Sequence, residues 1–352
     1  MFNDKKQNQA AGDDSTNMQA SSIVVHQGIS YSDARDIALD VFKSNFLKLS
    51  ENAAGEARKR AEEITDEFLA ELKERNPDGI SELESPGMQH ALFVAQKDYA
   101  RTGDKDLESL LIDILVDRTS TEDRSLQQIV LDEALTIAPK LNAPQMDVLT
   151  ANFLSIRTVN HSVNNLDKFA TYLDTHIAPF LGATSASESC FGHLQYTGCC
   201  SIALVGGYKK IEELYLLNYP GLFMKGFDSR KLDELLPDSP IARQLIIPCL
   251  HDESLYQVYA MTADVLTNEC ERISVPPDDR PKLLQLFNQH KMSAAEVVTY
   301  VSGQRPEIGN LLKAWPDSHL SKLTLTSVGI CIAHANFRRR TGLPLDLSIW
   351  VN

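Results

Sequence analysis

The 352-residue chain lacks the short catalytic signatures whose spacing carries a mechanism. It has no G-x-x-x-x-G-K-[ST] phosphate loop, no G-x-G-x-x-G, no H-E-x-x-H and no G-x-S-x-G. Gly206-Gly207-Tyr208-Lys209 does not make a phosphate loop. Long apolar runs are also missing. The longest weakly polar run, Leu323 to Phe337, is too short to span a bilayer and contains His334. The start, MFNDKKQNQAAGDD, has no apolar h-region, so no signal peptide is expected. Cysteine is sparse, with six residues, mostly scattered or in apolar context. That usage excludes a disulfide scaffold and points to a reducing compartment, a bacterial-type cytosol. Positive charge is outweighed: the formal net charge is -14, which disfavours a nucleic-acid backbone as partner.

What is present is helical patterning. Residues 31–75 carry Ile37, Val41, Phe46, Leu49, Ala53, Ala57, Ala61, Ile64, Phe68 and Leu72 at spacings of three to five. With no proline inside, this reads as one helix about 65 Å long, with an apolar stripe along it. Ala53, Ala57 and Ala61 form a small-residue seam flanked by charge, suited to close approach of another helix. No following helix matches that length, so the stripe predicts a homo-oligomer. The seam would be built from Val41, Phe46, Ala53, Ala57, Ala61, Ile64 and Phe68. The alternative is a partner helix within the chain.

Around this stretch the chain divides into four parts. Residues 1–30 are a polar leader with one β-branched run, Ser22 to Gln27, that reads as a strand. Ile23 and Val25 on it would add to the contact between chains. Residues 31–76 are the long helix, ended by Asn76-Pro77-Asp78-Gly79. Residues 77–182 hold five helices joined by short links, hence a bundle. Residues 183–352 form a second, mostly helical part after the small polar linker GATSASES. There, residues 253–272 and Leu320 to Arg340 read as the longer helices, and Ser201 to Val205 as a strand or short buried turn. The chain ends with Leu345, Leu347, Ile349 and Val351 in alternation, a strand signal. Paired with the leader strand, it would make one small sheet beside the long helix. The fold class expected is therefore mainly α, with a long N-terminal helix, a multi-helix bundle and short β-strands at the two termini.

Three groups of residues have chemical potential. Cys190, His193, Cys199 and Cys200 offer soft ligands for zinc, or a Cys199 thiol with His193 as base, or ordinary packing of small thiols. Adjacent cysteines suit one tetrahedral ion poorly and no second ligand pair follows, so no metal and no cofactor is expected. Asp113 and Asp117 share a helix face, and Asp132 and Glu133 follow on the next helix. Four such carboxylates can hold Mg2+ for a metal-dependent hydrolase, or they can sit in a salt-bridge network with Arg118 and Arg124. Arg338, Arg339 and Arg340 suit the negative end of a helix dipole, and a run of three also suits an anion such as a nucleotide phosphate. They belong to a basic end. Residues 281–352 carry eight cations against four anions, so that end is +4 and the rest -18.

Three stretches resemble known bacterial proteins. RTGDKDLESLLIDILVDRTSTEDRSLQQIVLDEALTIAPKLNAPQMDVLT is similar to the helical core of a poorly characterised bacterial family of similar length. The ending SKLTLTSVGICIAHANF, with its L-T-x-x-G, resembles a helix of the abortive-infection Abi-alpha group. The leader AGDDSTNMQA resembles a short motif at the start of bacterial conflict proteins. The resemblance implies a role in anti-phage defence and carries over no site residue. The resulting expectation is a non-enzymatic, self-assembling scaffold or sensor. Its partners would be itself and a defence effector or phage protein, with no membrane. The competing expectations are the carboxylate hydrolase and a regulator that binds a nucleotide or a phage protein.

Overall fold

A computed structural model describes residues 29–45, 51–121 and 124–352. The described chain is mostly helical. The first half runs through α1 (Tyr31–Asn45), α2 (Glu51–Arg75), α3 (Pro86–Thr102), α4 (Lys105–Arg118), α5 (Leu126–Ile137), α6 (Ala143–Arg157) and α7 (Leu166–Tyr172). It continues with α8 (Glu188–Tyr196), β1 (Cys200–Ile202), α9 (Ile211–Asn218), α10 (Ser229–Leu235), α11 (Pro240–Arg243), β2 (Ile246–Pro248) and β3 (Tyr256–Val258). Then come α12 (Ala263–Arg272), α13 (Arg280–Gln289), α14 (Ala294–Gln304), α15 (Pro306–Ala314), β4 (Leu323–Leu325) and α16 (Ser327–Thr341).

The last helix is the centre of the main core. Val328 through Phe337 are all buried, which fits a helix apolar on every side. It packs on α4, α5 and α6. Its first turn also lies close to the backbone just before β1, where a Cβ at Gly329 would fall 2.0 Å from the Cys199 carbonyl oxygen. Buried polar groups are matched between α6 and both α16 and the segment that leads into it. Asn336 Nδ2 donates to Thr150 Oγ1 at 2.9 Å, and Asn152 Nδ2 donates to the carbonyls of Leu320 and Leu323. Left unpaired, each such group would cost ~1–3 kcal/mol. The main core draws residues from Ala34 to Val351, so it takes side chains from both sides of residue 182. A second, smaller core between Met224 and Phe287 gathers around Leu266, Leu283, Leu286 and Phe287. Two antiparallel pairs complete the frame, β1 with β4 and β2 with β3.

Two expectations about the ends need correction. Residues 31–76 are not one rod. Arg35 Nε lies 2.6 Å from Asp66 Oδ1, whereas a straight helix would separate these residues by about 46 Å. α1 and α2 therefore lie side by side, and both pack on α3. Much of the described stripe is covered within the chain: Phe42, Ala57, Ala61 and Ala100 form one buried cluster, while Ile64 and Phe68 enter the main core and Ala53 stays exposed. Burying each apolar side chain stabilises by ~1.5–3 kcal/mol whichever helix covers it. The period of a stripe therefore does not say whether its partner lies in the same chain.

The C-terminal strand is absent as well. Asp346 caps a 3-10 turn, Leu347–Ile349, by accepting from the Ser348 N–H. This local bond competes with extended backbone. Leu347 and Val351 are buried while Ile349 is exposed, a spacing of four rather than two. Trp350 packs edge-on to Phe153 at 4.9 Å and donates from Nε1 to the Arg157 carbonyl. The leader strand, with Ile23 and Val25, lies outside the described residues, as does Phe46.

Candidate functional site

The arginines and aspartates singled out separately in the sequence meet in one place. Asp113 and Asp117 stand one turn apart on α4. Arg75, from the end of α2, puts Nη1 2.6 Å from Asp113 Oδ1 and Nη2 3.1 Å from Asp117 Oδ1. Arg338 reaches Asp117 Oδ1 at 2.6 Å from the end of α16. His334, one turn earlier and almost wholly buried, directs Nε2 at the Leu345 carbonyl at 2.9 Å and Nδ1 toward Asp117 at 3.8 Å. Burial pushes the Asp113 carboxyl up, with Arg75 and Arg338 pulling the other way. Burial also pushes the His334 imidazole down.

Arg339 pairs with Asp106 and with Asn336 Oδ1. Arg340 donates to the Pro179 carbonyl at 2.6 Å and lies 3.5 Å from Asp147. The basic run is thus engaged with the bundle. A cavity of about 540 Å³ opens beside it, lined by Glu67, Glu71, Arg75, Asp113, Arg338 and Arg339. The mixture of signs suits a ligand that carries both charges.

Asp113, Asp117, Asp132 and Glu133, read as either a cation site or a salt-bridge network, do not converge on one point. Asp132 takes Arg118 at 2.5 Å, and Glu133 is exposed on the surface. The cations that hold Asp113 and Asp117 are Arg75 and Arg338 rather than Arg118 or Arg124. Among the described residues, the ligand atoms that gather closely belong to Glu63, Glu67 and Glu108. There Lys105 Nζ lies 2.5, 3.6 and 2.7 Å from the three carboxylates, so an ammonium stands where a cation would.

Cys190 and His193 line a second cavity of about 410 Å³ together with Lys140, Gln145, Ser187 and Ser189. Cys199 and Cys200 are buried in the main core instead. The His193 tautomer follows from the neighbouring helix cap. Gln145 Oε1 accepts the Asn142 N–H, so its Nε2 donates to His193 Nδ1 at 2.8 Å. That leaves the proton on His193 Nε2. Burial pushes the Cys190 and Cys199 thiols up and the Cys200 thiol to about 12. A raised thiol is a poor nucleophile. Cys199 has Thr197 as its neighbour, and His193 is held by Gln145.

Part of the helix seam is covered inside the chain. Ala57 and Ala61 are buried, Val41 is half-buried and Ala53 is exposed. The prominent exposed apolar groups lie elsewhere. Leu204 is 97% exposed and Val205 90%, at the tip of the loop that follows β1.

A model of an uncharacterised protein family matches residues 28–351. The chain belongs to that family. No curated protein and no solved structure compared with the chain is similar to it. The matched span contains the arginine–aspartate junction, both cavities and the exposed loop, and it omits the leader to Gln27.

Sequence reasoning missed Arg75, which shares Asp117 with Arg338, and Asp106, which pairs with Arg339. Charged residues at a helix end are common, and nothing in the local pattern singled them out. It also read Ser201 to Val205 as a strand or a short buried turn, whereas β1 ends at Ile202 and Leu204 and Val205 are exposed. The signal that could have placed them outside was Gly206-Gly207 directly after them, a turn mark. No helix among the described residues is long and apolar enough to cross a membrane.

Proposed function

We propose that this protein is a non-enzymatic, self-assembling scaffold or sensor of a bacterial defence system, working in the cytoplasm. The observation that carries the assembly part is the apolar tip Leu204-Val205, held out on an anchored loop. Two adjacent aliphatic side chains left in water favour a partner surface. The helix stripe does not carry the assembly part, because Ala57, Ala61, Ile64 and Phe68 are covered within the chain. The defence part rests on the likeness of the α16 stretch to the abortive-infection Abi-alpha group and of the leader to bacterial conflict proteins. A defence effector or a phage protein is the further partner this reading includes.

The hydrolase reading has less support, because Asp113 and Asp117 face Arg75 and Arg338 while Asp132 and Glu133 lie apart from them. The regulator reading keeps one specific support, the cavity beside Arg75, Arg338 and Arg339.

Light scattering on the purified full chain tests assembly. A mass that rises with concentration in the micromolar range is expected, and a monomer throughout would overturn the reading. Phage plating on cells that carry the gene with its neighbours tests the defence part. Equal plating with and without the gene, across a broad phage panel, would remove it. Thermal-shift screening with nucleotides tests the regulator reading, which a reproducible shift lost in Arg339→Ala would favour.

A further inference from the structure

The exposed loop is held too firmly to be slack chain. β1 pairs with β4, and the ladder is extended by Ala203, whose N–H donates to the Lys322 carbonyl at 3.0 Å. The chain is caught again four residues after the tip begins, where the Tyr208 N–H donates to the Ser321 carbonyl at 2.6 Å. Gly206 takes φ +84°, and a Cβ at Gly207 would come within 2.9 Å of the Ser321 carbonyl oxygen. Two glycines are therefore what lets the turn close against the 3-10 segment. The result is a short knob with Leu204 and Val205 outermost, followed by the exposed cations Lys209 and Lys210.

An apolar groove of about 450 Å³ lies elsewhere on the same chain, lined by Ile247, Leu250, Tyr259, Met261 and Val265. Leu250, Tyr259 and Val265 are 39%, 64% and 42% exposed. Its surroundings are acidic: Asp252 and Glu253 follow Leu250, and Asp264 precedes Val265, all three exposed. Glu269 on its wall is held by Arg272. Knob and groove thus match twice, apolar to apolar and basic flank to acidic flank.

We propose that the Leu204-Val205 knob of one molecule seats in the Ile247–Leu250–Tyr259–Val265 groove of a second copy, guided by Lys209 and Lys210 against Asp252, Glu253 and Asp264. The inference rests on the self-assembly reading and names the surfaces that carry it. The two patches are unlike, so the contact is heterologous and does not by itself stop at a dimer. A knob of two side chains covers less than a standard interface, so association is concentration-dependent rather than permanent. Its ionic flank makes it weaken with salt.

Sedimentation velocity on the full chain, over a concentration series, decides the matter. The wild type is expected to grow in mass with concentration. Leu204→Glu and Val265→Glu are each expected to weaken growth by about tenfold or more, the scale of one lost aliphatic contact. Mixing the two variants is the sharper arm. One keeps the groove and the other keeps the knob, so the mixture should stop at a one-to-one dimer that neither forms alone. Wild-type growth that either variant leaves untouched, or a mixture that stays monomeric, overturns this docking while leaving self-assembly in place. A wild type monomeric throughout overturns both. Should circular dichroism show that a glutamate variant is misfolded, Leu204→Ser and Val265→Ser serve in the same scheme.

Discussion

Arg35 and Asp66, thirty-one residues apart in the chain, form an ion pair at 2.6 Å between α1 and α2. Both side chains are partly exposed, so the pair itself contributes little, on the order of 1 kcal/mol or less. Its value is as a marker of how the N-terminal helices are arranged. Behind it, the buried alanines of α2 meet Phe42 and Ala100 rather than another molecule.

Ala61→Leu follows directly from that packing. Ala61 is fully buried, and added methylenes there must push α1 or α3 away. A loss of about 1–3 kcal/mol is expected. Urea unfolding checks it, together with subunit mass, which should not change because the crowding is within one chain. An unaltered midpoint would place Ala61 in open space.

Arg75 and Arg338 should behave as a coupled pair. Each neutralises Asp117, and Arg75 also holds Asp113. Removing one arginine leaves the other in place, so Arg75→Ala and Arg338→Ala should each cost about 1–3 kcal/mol. The double variant should cost more than the sum, since it leaves two largely buried carboxylates without a cation. A double-mutant cycle on urea midpoints measures this, and simple additivity would show the two contacts to be independent.

His334 sets a pH dependence. Burial lowers its pKa, so the folded state holds it neutral while the unfolded chain takes up a proton near the ordinary value of about 6.5. Stability is therefore fully present above that value. It falls as pH drops through it, and levels once the folded imidazole also protonates. Comparing wild type with His334→Gln between neutral and mildly acidic pH isolates the effect, because the raised Asp113 carboxyl is common to both. The variant should have the flatter profile, and parallel profiles would refute the assignment.

Lys105 keeps three carboxylates together. Glu108 is almost wholly buried, and burial pushes its carboxyl up. Lys105→Ala should cost about 1–2 kcal/mol, with protonation of Glu108 limiting the loss. The vacated place then suits a divalent cation, so Mg2+ or Ca2+ should raise the melting temperature of the variant and leave that of the wild type unchanged. An identical response of the two proteins would contradict the geometry.

The helix breaker after α2 was legible from residue order alone. Asn76-Pro77-Asp78-Gly79 ends α2 where the residue order placed the break, with the Asn76 N–H donating to the Leu72 carbonyl and the Gly79 N–H to the Asn76 carbonyl. These are local bonds, made among residues a few positions apart. The site was legible only in pieces. Asp113 and Asp117 were seen on one face and Arg338 at a helix end, but their meeting was not, because 221 residues separate Asp117 from Arg338.

Local order in this sequence determined that the chain is helical, where most helices of the first half begin and end, and that the basic residues gather near its end. The tertiary structure alone decided that the stripe over residues 31–75 folds on itself, that the C-terminal residues form a turn under Trp350, and that Leu204 and Val205 face water. The physical reason is common to the three. Burial depends on what lies opposite a side chain in space, and a hydrophobic period of 3.6 or 2 specifies a face without specifying its partner.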